Sequence, residues 1–431
     1  MQTDILIVGT GCSGLYAALQ MDPKKKILMI TKSDVESSDS FLAQGGICML
    51  RDEDDYQSYF EDTLRAGHYE NDKESVDIMI RSSQDVIADL ISYGVNFHRD
   101  EKGDLDFTRE GAHSEKRILF HEDETGKEIT KHLLEQVRKL NHITILENTT
   151  LVDLIEEDNT CYGALVLKKD GHYETIQADY TILATGGIGG IYRHSTNFRH
   201  LTGDGIALAI KHQIALKNVN YVQIHPTTFY SPDETDRSFL ISESVRGEGA
   251  LLLDKHMHRF VNELLPRDVV SKEIQKQMEK DHTDYVWEDL RPIGHDELYS
   301  HFPNIVAYCH EKGFDPEKEP IPVVPAQHYF MGGIKVDKQS KTSMKQLYAV
   351  GETACNGVHG KNRLASNSLL ESLVFAKRAA HEISNFYHKN PTNQDLFSEI
   401  NLDVYKNVKE SYPKMVQKEI KKEESKEEIY V

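Results

Sequence analysis

The N-terminal segment has the hydrophobic pattern of a strand, a tight turn, a helix and a second strand. Asp4-Ile5-Leu6-Ile7-Val8 contains a short apolar run typical of a strand buried in a parallel sheet. It leads directly into Gly9-Thr10-Gly11-Cys12-Ser13-Gly14, and a helical stretch follows from Leu15 to Met21. A further apolar run, Lys26-Ile27-Leu28-Met29-Ile30-Thr31, predicts the second strand.

The glycines of this turn suit a nucleotide. Gly9, Gly11 and Gly14 let the backbone turn sharply and approach a pyrophosphate, whose charge then lies at the N-terminus of the helix, where free N–H groups favour it. The second strand ends in Thr31-Lys32, where an NAD-binding fold normally has an acid for the ribose hydroxyls. The sequence therefore predicts a dinucleotide site but argues against a simple NAD dehydrogenase.

Two later segments have the pattern of a strand that ends in a glycine turn. Tyr180-Thr181-Ile182-Leu183-Ala184-Thr185-Gly186-Gly187 is one, and Gln346-Leu347-Tyr348-Ala349-Val350-Gly351-Glu352 is the other, which ends in an acid. Both resemble the strand ends that close around FAD, with Glu352 placed to accept hydrogen bonds from a ribose. Any buried strand can end in glycine, but three such ends in one chain favour a common ligand site.

A dense group of cationic and hydrogen-bonding residues lies between Gln223 and Asp268. It contains His225-Pro226-Thr227, Glu243-Ser244-Val245-Arg246-Gly247-Glu248-Gly249 and Pro266-Arg267-Asp268. The formal net charge of the chain is −20, so most of its surface repels anions, and positive groups kept together here favour a small, multiply charged carboxylate as ligand. Each residue alone would suit an ordinary surface ion pair. Together with the nucleotide signatures they predict an active site.

Several motifs, taken in this order, resemble one family. They are Ser40-Phe41-Leu42-Ala43-Gln44-Gly45-Gly46-Ile47, then the three segments that begin at His225, Glu243 and Pro266, and finally Gly360-Lys361-Asn362-Arg363-Leu364-Ala365-Ser366-Asn367-Ser368-Leu369-Leu370-Glu371. Over residues 1 to about 385 the chain resembles the flavoprotein family of succinate dehydrogenases and fumarate reductases. Within this family the aspartate oxidases are the most similar branch.

The resemblance implies an α/β protein with two domains and a tail. A Rossmann-like FAD-binding domain is expected over 1–219 and 329–385, with a capping domain of α+β type inserted over 220–328 and a short helical tail over 386–431. The active site is expected in the cleft between the two domains. From Lys406 onward the tail mixes Lys and Glu densely, which is typical of a solvated helix. It is shorter than the three-helix domain that family members usually carry here.

The resemblance also implies an FAD that is held without a covalent bond. In the respiratory dehydrogenases a histidine five residues before the glutamine of the Ala43-Gln44-Gly45-Gly46 motif bonds to the flavin, and here that position is Asp39. The residues expected to bind FAD are Gly9, Gly11, Cys12, Ser13, Gly14, Lys32, Ser40, Ala43, Gln44, Gly45, Gly46, Ala184, Thr185, Gly186, Asp204, Glu352, Ser366, Ser368 and Leu369.

Glu110 favours the aspartate oxidase branch. In that branch a glutamate in a segment like Arg109-Glu110-Gly111-Ala112-His113-Ser114 faces the substrate amino group, where dicarboxylate enzymes without an amine ligand typically carry glutamine. A negative charge there suits an ammonium, although in isolation Glu110 would be read as an exposed loop carboxylate.

The implied activity is FAD-dependent oxidation of L-aspartate to iminoaspartate, with oxygen or fumarate as electron acceptor. In the family this is the first step of quinolinate and NAD synthesis, and the unstable imine is taken up by quinolinate synthase. A soluble fumarate reductase without an amine substrate is the alternative. A third reading is a non-catalytic flavin-binding subunit of an electron-transfer complex, against which the missing covalent histidine and the reduced C-terminal region both count.

The resemblance assigns the two carboxylates of the substrate to different residues. The planar guanidinium of Arg363 suits one end, with His328 beside it. Gln223, His225 and the hydroxyl of Ser242 are expected to hold the other end; the family more often has threonine at the Ser242 position, and serine keeps the donor.

The resemblance also assigns proton transfer to Arg267. Glu243 and Arg246, three residues apart and able to share a helix face, are expected to form a relay behind it. Because arginine is a poor base in water, a purely electrostatic role for Arg267, as a clamp on the substrate carboxylate, is the alternative.

The composition of the chain is typical of a soluble cytoplasmic enzyme. No segment reaches the ~18 apolar residues of a membrane span, the N-terminus enters a strand at once and without a signal peptide, and the acidic balance argues against nucleic acid. Cys12, Cys48, Cys161, Cys309 and Cys355 show no zinc or iron–sulfur spacing, so we expect no metal site but free thiols in a cytoplasmic enzyme.

Overall fold

The computed structural model describes residues 1–232, 237–390, 395–398 and 400–429, so 391–394, 399 and 430–431 of the predicted tail lie outside the described residues. The strands are β1 Gln2–Val8, β2 Ile27–Ile30, β3 Ile47–Cys48, β4 Ile118–Leu119, β5 Ile143–Leu146, β6 Thr149–Glu157, β7 Thr160–Lys168, β8 Tyr173–Leu183, β9 Leu216–Lys217, β10 Val222–Phe229, β11 Leu251–Leu253, β12 Val286–Asp289, β13 Ile321–Phe330, β14 Gly333–Lys335, β15 Leu347–Ala349 and β16 Ala354–Cys355. The helices are α1 Cys12–Gln20, α2 Asp39–Leu42, α3 Glu53–Ala66, α4 Lys73–Arg81, α5 Ser83–Ser92, α6 Thr125–Arg138, α7 Asp204–Lys211, α8 Glu243–Gly247, α9 Arg267–Asp281, α10 His295–His301, α11 Pro303–Glu311, α12 Asn367–Asn385, α13 Asp395–Ser398 and α14 Val408–Ile429.

The largest sheet brings the three predicted glycine turns together. Its strand order is β5-β2-β1-β8-β7-β6, and β15 pairs with β8. The pairs β1·β2, β1·β8, β2·β5 and β8·β15 are all parallel. Val8 pairs with Leu183, and Leu183 pairs with Ala349. The turns after β1, β8 and β15 therefore open at one edge of the sheet, where ligands bind in open α/β folds.

Apolar layers cover both faces of this sheet. Ile5 and Ile7 of β1 pack in one core with α1 and α12, whereas Leu6 and Val8 pack in a second core with α7. This alternation follows from strand geometry, which points successive side chains to opposite faces. Burial on both faces explains why β1 is apolar without interruption, and it confirms the predicted α/β class.

A second sheet belongs to the segment predicted as the cap. Its order is β10-β13-β12-β11, and its strands are antiparallel. It shares a separate apolar core with α9, α10 and α11, which is an α+β arrangement. β13 continues to Phe330, past the expected boundary at 328/329. The exact division of the chain into domains stays a prediction.

The prediction of a solvated tail helix is wrong for one face of α14. Tyr412, Val416 and Ile420 are buried in the same core as α7, and the Tyr412 hydroxyl donates to Val152 O at 2.7 Å. Residues spaced by four lie on one face of a helix, so a narrow apolar stripe is hidden within a Lys- and Glu-rich composition. None of the helices in the described ranges is both long and apolar enough to cross a membrane.

Candidate active site

The main cavity opens at the edge where β1, β8 and β15 end, and it extends to β10 and β13 of the second sheet. Most residues predicted from the sequence line it. They are Gly9, Gly11, Cys12, Ser13, Lys32, Ser40, Ala43, Gln44, Gly45, Gly46, Glu110, Ala184, Thr185, Gly186, Asp204, His225, Ser242, Glu243, Arg267, His328, Glu352, Arg363, Ser366, Ser368 and Leu369. Gly14, Gln223 and Arg246 lie behind this surface.

The turn after β1 forms a cradle that a larger side chain would fill. Gly9 has φ +119°, and a Cβ on it would lie 2.0 Å from Ala184 O. A Cβ on Gly14 would lie 2.2 Å from Gly9 O, so Gly14 serves close packing of α1 on the turn. Cys12 N donates to Ser40 Oγ at 3.1 Å, but the N-terminus of α1 has no acidic residue in its first turn. Its backbone N–H groups therefore suit the phosphates of a dinucleotide.

Lys32 and Asp204 form the wall beside β2. Lys32 Nζ donates to the Asp204 carboxylate at 2.8 Å and to His200 O at 2.9 Å. The acid on this wall is therefore the first residue of α7 and is paired with the lysine that follows β2. This arrangement fits a dinucleotide bound differently from NAD in a simple dehydrogenase.

Two acids, Asp39 and Glu352, also line the cavity. Asp39 stands at the position where the respiratory dehydrogenases have the histidine that bonds to the flavin. Asp39 Oδ1 accepts from Phe198 N at 3.0 Å, and Oδ2 has no hydrogen-bond partner among the described residues. Burial raises the pKa of Asp39 to about 7. Glu352 accepts from Phe330 N at 2.9 Å, and burial, together with the nearby Asp39, raises its pKa to about 8.

Two guanidinium groups share one acceptor in the substrate half of the cavity. Gln223 Oε1 accepts from Arg267 Nη1 at 3.0 Å and from Arg363 Nε at 3.2 Å. Arginine can only donate, so the atom facing both groups must be the amide oxygen. Gln223 Nε2 donates to Asn362 Oδ1 and to Arg363 O, both at 2.8 Å. Gln223 therefore positions the two arginines from behind.

The electrostatics of this half favour an anion. Arg267 and Arg363 are both buried. Burial and then the neighbouring Arg267 lower the pKa of Arg363 to about 10. Two like charges in a site shielded from water repel each other, and a carboxylate ligand relieves that repulsion.

Two histidines face the same space as neutral donors or acceptors. The ring centroids of His225 and His328 are 5.0 Å apart. Burial and then Arg267 hold the pKa of each ring well below its usual value, so both are uncharged at neutral pH. His328 Nδ1 lies 2.7 Å from Thr196 Oγ1, and His225 Nε2 has no hydrogen-bond partner among the described residues. His225 thus offers one ring nitrogen to a ligand.

Glu110 is a buried carboxylate held by two hydroxyls. Ser244 donates to Oε1 at 2.8 Å and Ser366 donates to Oε2 at 2.6 Å. Burial and then Glu243 raise its pKa, so a cation near it would favour the ionised form. The alternative of an exposed loop carboxylate is wrong, because only 3% of Glu110 is exposed.

A buried ion-pair network holds the loop that carries Glu110. Arg117 donates to Asp55 at 2.9 Å, to Asp62 at 2.8 Å and to His113 Nδ1 at 3.0 Å. Asp62 also accepts from Ser114 N and Oγ, each at 2.7 Å. Nothing in the sequence motifs indicated these partners, which fix the loop from outside the cavity.

Arg267, Glu243 and Arg246 form a continuous line of charge. Arg267 Nε donates to Glu243 Oε2 at 2.5 Å, and Glu243 Oε1 lies 3.8 Å from Arg246 Nη2. Although burial acts to raise the pKa of Glu243, Arg267 and Arg246 hold it below its usual value. Glu243 and Arg246 both belong to α8 and are three residues apart, so they share a face of this short helix.

Comparison with known proteins agrees with this geometry. The FAD binding domain family matches residues 4–369. The L-aspartate oxidase of Clostridium perfringens is 52% identical over 89% of this chain and 87% of its own length, and that of Clostridium acetobutylicum is 50% identical over 92% of each chain.

The chain belongs to the L-aspartate oxidase family. Among solved structures, a quinol fumarate reductase variant from E. coli has a TM-score of 0.86 at 31% identity, over 92% of this chain and 72% of that one. A quinol-fumarate reductase with menaquinol molecules has the same TM-score at 30% identity, over 95% and 75%. FAD is therefore the cofactor, and the chain is an FAD-dependent oxidoreductase, as predicted.

The cavity of this family member also contains residues that the sequence motifs did not reveal. They are Ser37, Ser38, Thr196, Asn197, His200, Leu201, Thr202, Arg237, Phe239, Leu240 and Tyr329, among others. Arg237 helps to keep the pKa of Asp39 from rising further, and the Tyr329 ring lies 4.5 Å from the Arg363 guanidinium. Most of them lie on irregular segments without a periodic pattern, so only the fold brings them to the site.

Gly9→Ala is expected to abolish FAD retention, because its Cβ would collide with Ala184 O and because φ +119° disfavours any side chain. Gly103→Ala is the matched control: Gly103 has φ +87°, and a Cβ there would meet nothing within 4 Å. The measurement is bound FAD per chain after purification, with circular dichroism to compare folding. A Gly9→Ala protein with full FAD content would contradict the cradle.

Proposed function

We propose that this protein oxidises L-aspartate to iminoaspartate with bound FAD and passes the electrons to oxygen, forming hydrogen peroxide, or to fumarate. The observation that carries the proposal is the buried carboxylate of Glu110 in the same cavity that the guanidinium groups of Arg267 and Arg363 line. Two cationic groups suit a dicarboxylate, and one anionic group suits an ammonium. Aspartate carries all three charges. The family relationship supports the same substrate.

The two carboxylates are assigned to cationic and polar side chains that line the cavity. Arg363 and His328 bind one end. His225, through its unpartnered Nε2, and Ser242 bind the other, while Gln223 orients Arg363 and Arg267 rather than meeting the substrate itself. Arg363 also donates to Ser368 Oγ at 2.5 Å, which fixes the plane of its fork.

The reaction removes one proton from the ammonium and one hydride from Cα, which leaves the protonated imine. When bound, FAD supplies the hydride acceptor. Arg267, backed by Glu243, is assigned to proton transfer. Its other possible role is electrostatic, as a clamp that holds the substrate carboxylate in place. In either role the short contact to Glu243 fixes the direction of the guanidinium.

A soluble fumarate reductase is the second candidate. The guanidinium pair and the two neutral histidines would bind fumarate as well as aspartate, since neither feature needs an amine. Glu110 distinguishes the two reactions, because a carboxylate beside a dianion without an ammonium is a repulsion.

The proposed product, iminoaspartate, implies a role for the protein in metabolism. We include in the proposal that the unstable imine is consumed by quinolinate synthase in NAD synthesis. A cytoplasmic location is also part of it, because all five cysteines are buried free thiols, as in a reducing compartment.

FAD is expected to leave the denatured protein completely. Asp39 stands where the respiratory enzymes have the covalent histidine, and a carboxylate does not form that bond to flavin. The measurement is flavin fluorescence on the polypeptide band of a denaturing gel, with a covalent flavoprotein as positive control. Fluorescence that stays on the band would overturn the assignment.

Glu110→Gln is expected to slow aspartate oxidation by roughly ten- to a hundredfold. The charge interaction with the ammonium is worth about 1 to 3 kcal/mol in a partly desolvated cleft, and each factor of ten in rate corresponds to about 1.4 kcal/mol. Fumarate reduction should be spared or improved. Steady-state rates of both reactions at one pH give the comparison.

Glu115→Gln is the control, since Glu115 lies in the same segment with an exposed side chain and should change neither rate. Equal losses of both activities in Glu110→Gln would show that Glu110 is structural and would restore fumarate reduction as the leading function.

A further inference from the structure

The C-terminal segment, residues 400–429, packs against the back of one wall of the cavity. We propose that this segment is a positioning element for FAD: it holds α7 in place, and through α7 it holds the Lys32–Asp204 pair in the geometry that binds the cofactor. The inference concerns the cofactor site alone, so it does not depend on the substrate assigned above. The sequence motifs indicated no such role for this segment.

The helix α7 is too short to fix its own position. It runs from Asp204 to Lys211 and has only 8 residues. Isolated helices shorter than about 12 residues are marginal in water, so a helix of this length takes its place from the elements that pack against it. Its N-terminal cap, Gly203, has φ +78° and supplies no side-chain hydrogen bond. The position of Asp204 is therefore set by packing from outside α7.

The helix α14 packs directly on the turn that begins α7. Val416 lies against Gly203, because a Cβ on Gly203 would be 3.2 Å from Val416 Cγ2. Val416 is buried in the same core as Ile206 of α7. The next residue, Gln417, donates through Nε2 to Ile191 O at 3.3 Å. These contacts join α14 to the N-terminal end of α7.

The same C-terminal segment contacts the other end of α7. The hydroxyl of Tyr405 donates to Asp153 Oδ2. Lys211 Nζ donates to the same oxygen at 2.5 Å and lies 4.6 Å from the centre of the Tyr405 ring. His212 Nε2 lies 2.7 Å from Asp153 Oδ1. The segment therefore holds α7 at both of its ends, which are roughly 10 Å apart at the usual rise of a helix.

The N-terminal end of α7 belongs to the cavity wall. Asp204 lines the cavity and accepts from Lys32 Nζ at 2.8 Å and from Thr202 Oγ1 at 2.9 Å. Lys32 Nζ also donates to His200 O at 2.9 Å. These groups form one hydrogen-bonded unit around Gly203, so a shift of this turn alters the whole wall. The end of the second strand is where dinucleotide folds meet a ribose, and such a shift therefore weakens the binding of FAD.

Thermodynamic linkage makes this coupling reciprocal. If docking of the C-terminal segment raises the affinity for FAD, then bound FAD stabilises the docked segment by the same factor. The proposal can therefore be measured from either side, as the affinity for FAD or as the protection of α14.

Val416→Ala tests the first side, because it removes the side chain that packs on Gly203 and leaves the cavity lining unchanged. We expect the Kd for FAD, titrated into the apoprotein and followed by flavin fluorescence, to rise at least fivefold. Ile420→Ala is the matched control. Ile420 is buried in the same core one helical turn beyond Val416, and its substitution removes more apolar volume. Its Kd for FAD should change less than twofold.

Asp204→Asn tests whether the effect of Val416 passes through the wall. Alone it should raise the Kd for FAD, since it removes the charge that pairs with Lys32. In the double variant with Val416→Ala, the rise in Kd should be smaller than the product of the two single factors, because both substitutions disturb the same wall. Factors that multiply fully would contradict the route through α7.

Hydrogen exchange tests the second side without any substitution, so it also decides the question if Val416→Ala does not fold. In the wild-type protein, FAD is expected to slow the exchange of α14 amides at least fivefold relative to the apoprotein. The slowing should exceed that of α11, which packs in a separate core.

An unchanged Kd for FAD in Val416→Ala would overturn the proposal. Equal rises in Val416→Ala and Ile420→Ala, or exchange in α14 that FAD slows no more than in α11, would also overturn it, since these results report general stability. A wild-type protein that binds FAD but does not oxidise aspartate would refute the proposed function and leave this inference untouched.

Discussion

The shared hydrogen bonds from Arg267 and Arg363 to Gln223 Oε1 are the interaction on which the site depends. They hold two buried positive charges beside one cavity at a cost in repulsion and desolvation. The positive charge of Arg267 also shifts the pKa values of its neighbours. It helps to keep His225 and His328 neutral and Glu243 ionised, and it helps to lower the pKa of Arg363. Only an anionic ligand completes the arrangement.

The two sheets contribute different parts of the site. The parallel sheet ends in glycine turns that hold a dinucleotide, and the antiparallel sheet brings His225 and His328 on β10 and β13 to face it. Arg363 comes from the segment that leads into α12, and Glu110 comes from a loop fixed by Arg117. The groups that line the cavity are therefore far apart in the sequence, and the cavity exists only in the folded chain.

The sequence predicted the parts of the site that depend on residue type and local pattern. Apolar runs followed by glycine located β1, β8 and β15, and the motifs located the charged groups. The directions in which side chains point could not be predicted from the sequence. Gln223 and His225 are two apart and would share a face of a regular strand, yet β10 has register shifts after Gln223 and after His225. Such irregularities re-aim side chains, so Gln223 lies behind the cavity that His225 lines.

The central claim is that the paired guanidinium groups and Glu110 select an amino dicarboxylate whose hydride FAD accepts. The most direct measurement is the anaerobic rate of bleaching of the bound flavin after mixing with L-aspartate, compared with L-alanine at the same concentration. L-alanine has the ammonium but lacks the second carboxylate. The account predicts that L-aspartate reduces the flavin and that L-alanine does so at least about a hundredfold more slowly, since an unpaired buried charge costs about 3 kcal/mol. Comparable rates for the two amino acids, or no reduction by L-aspartate, would contradict it.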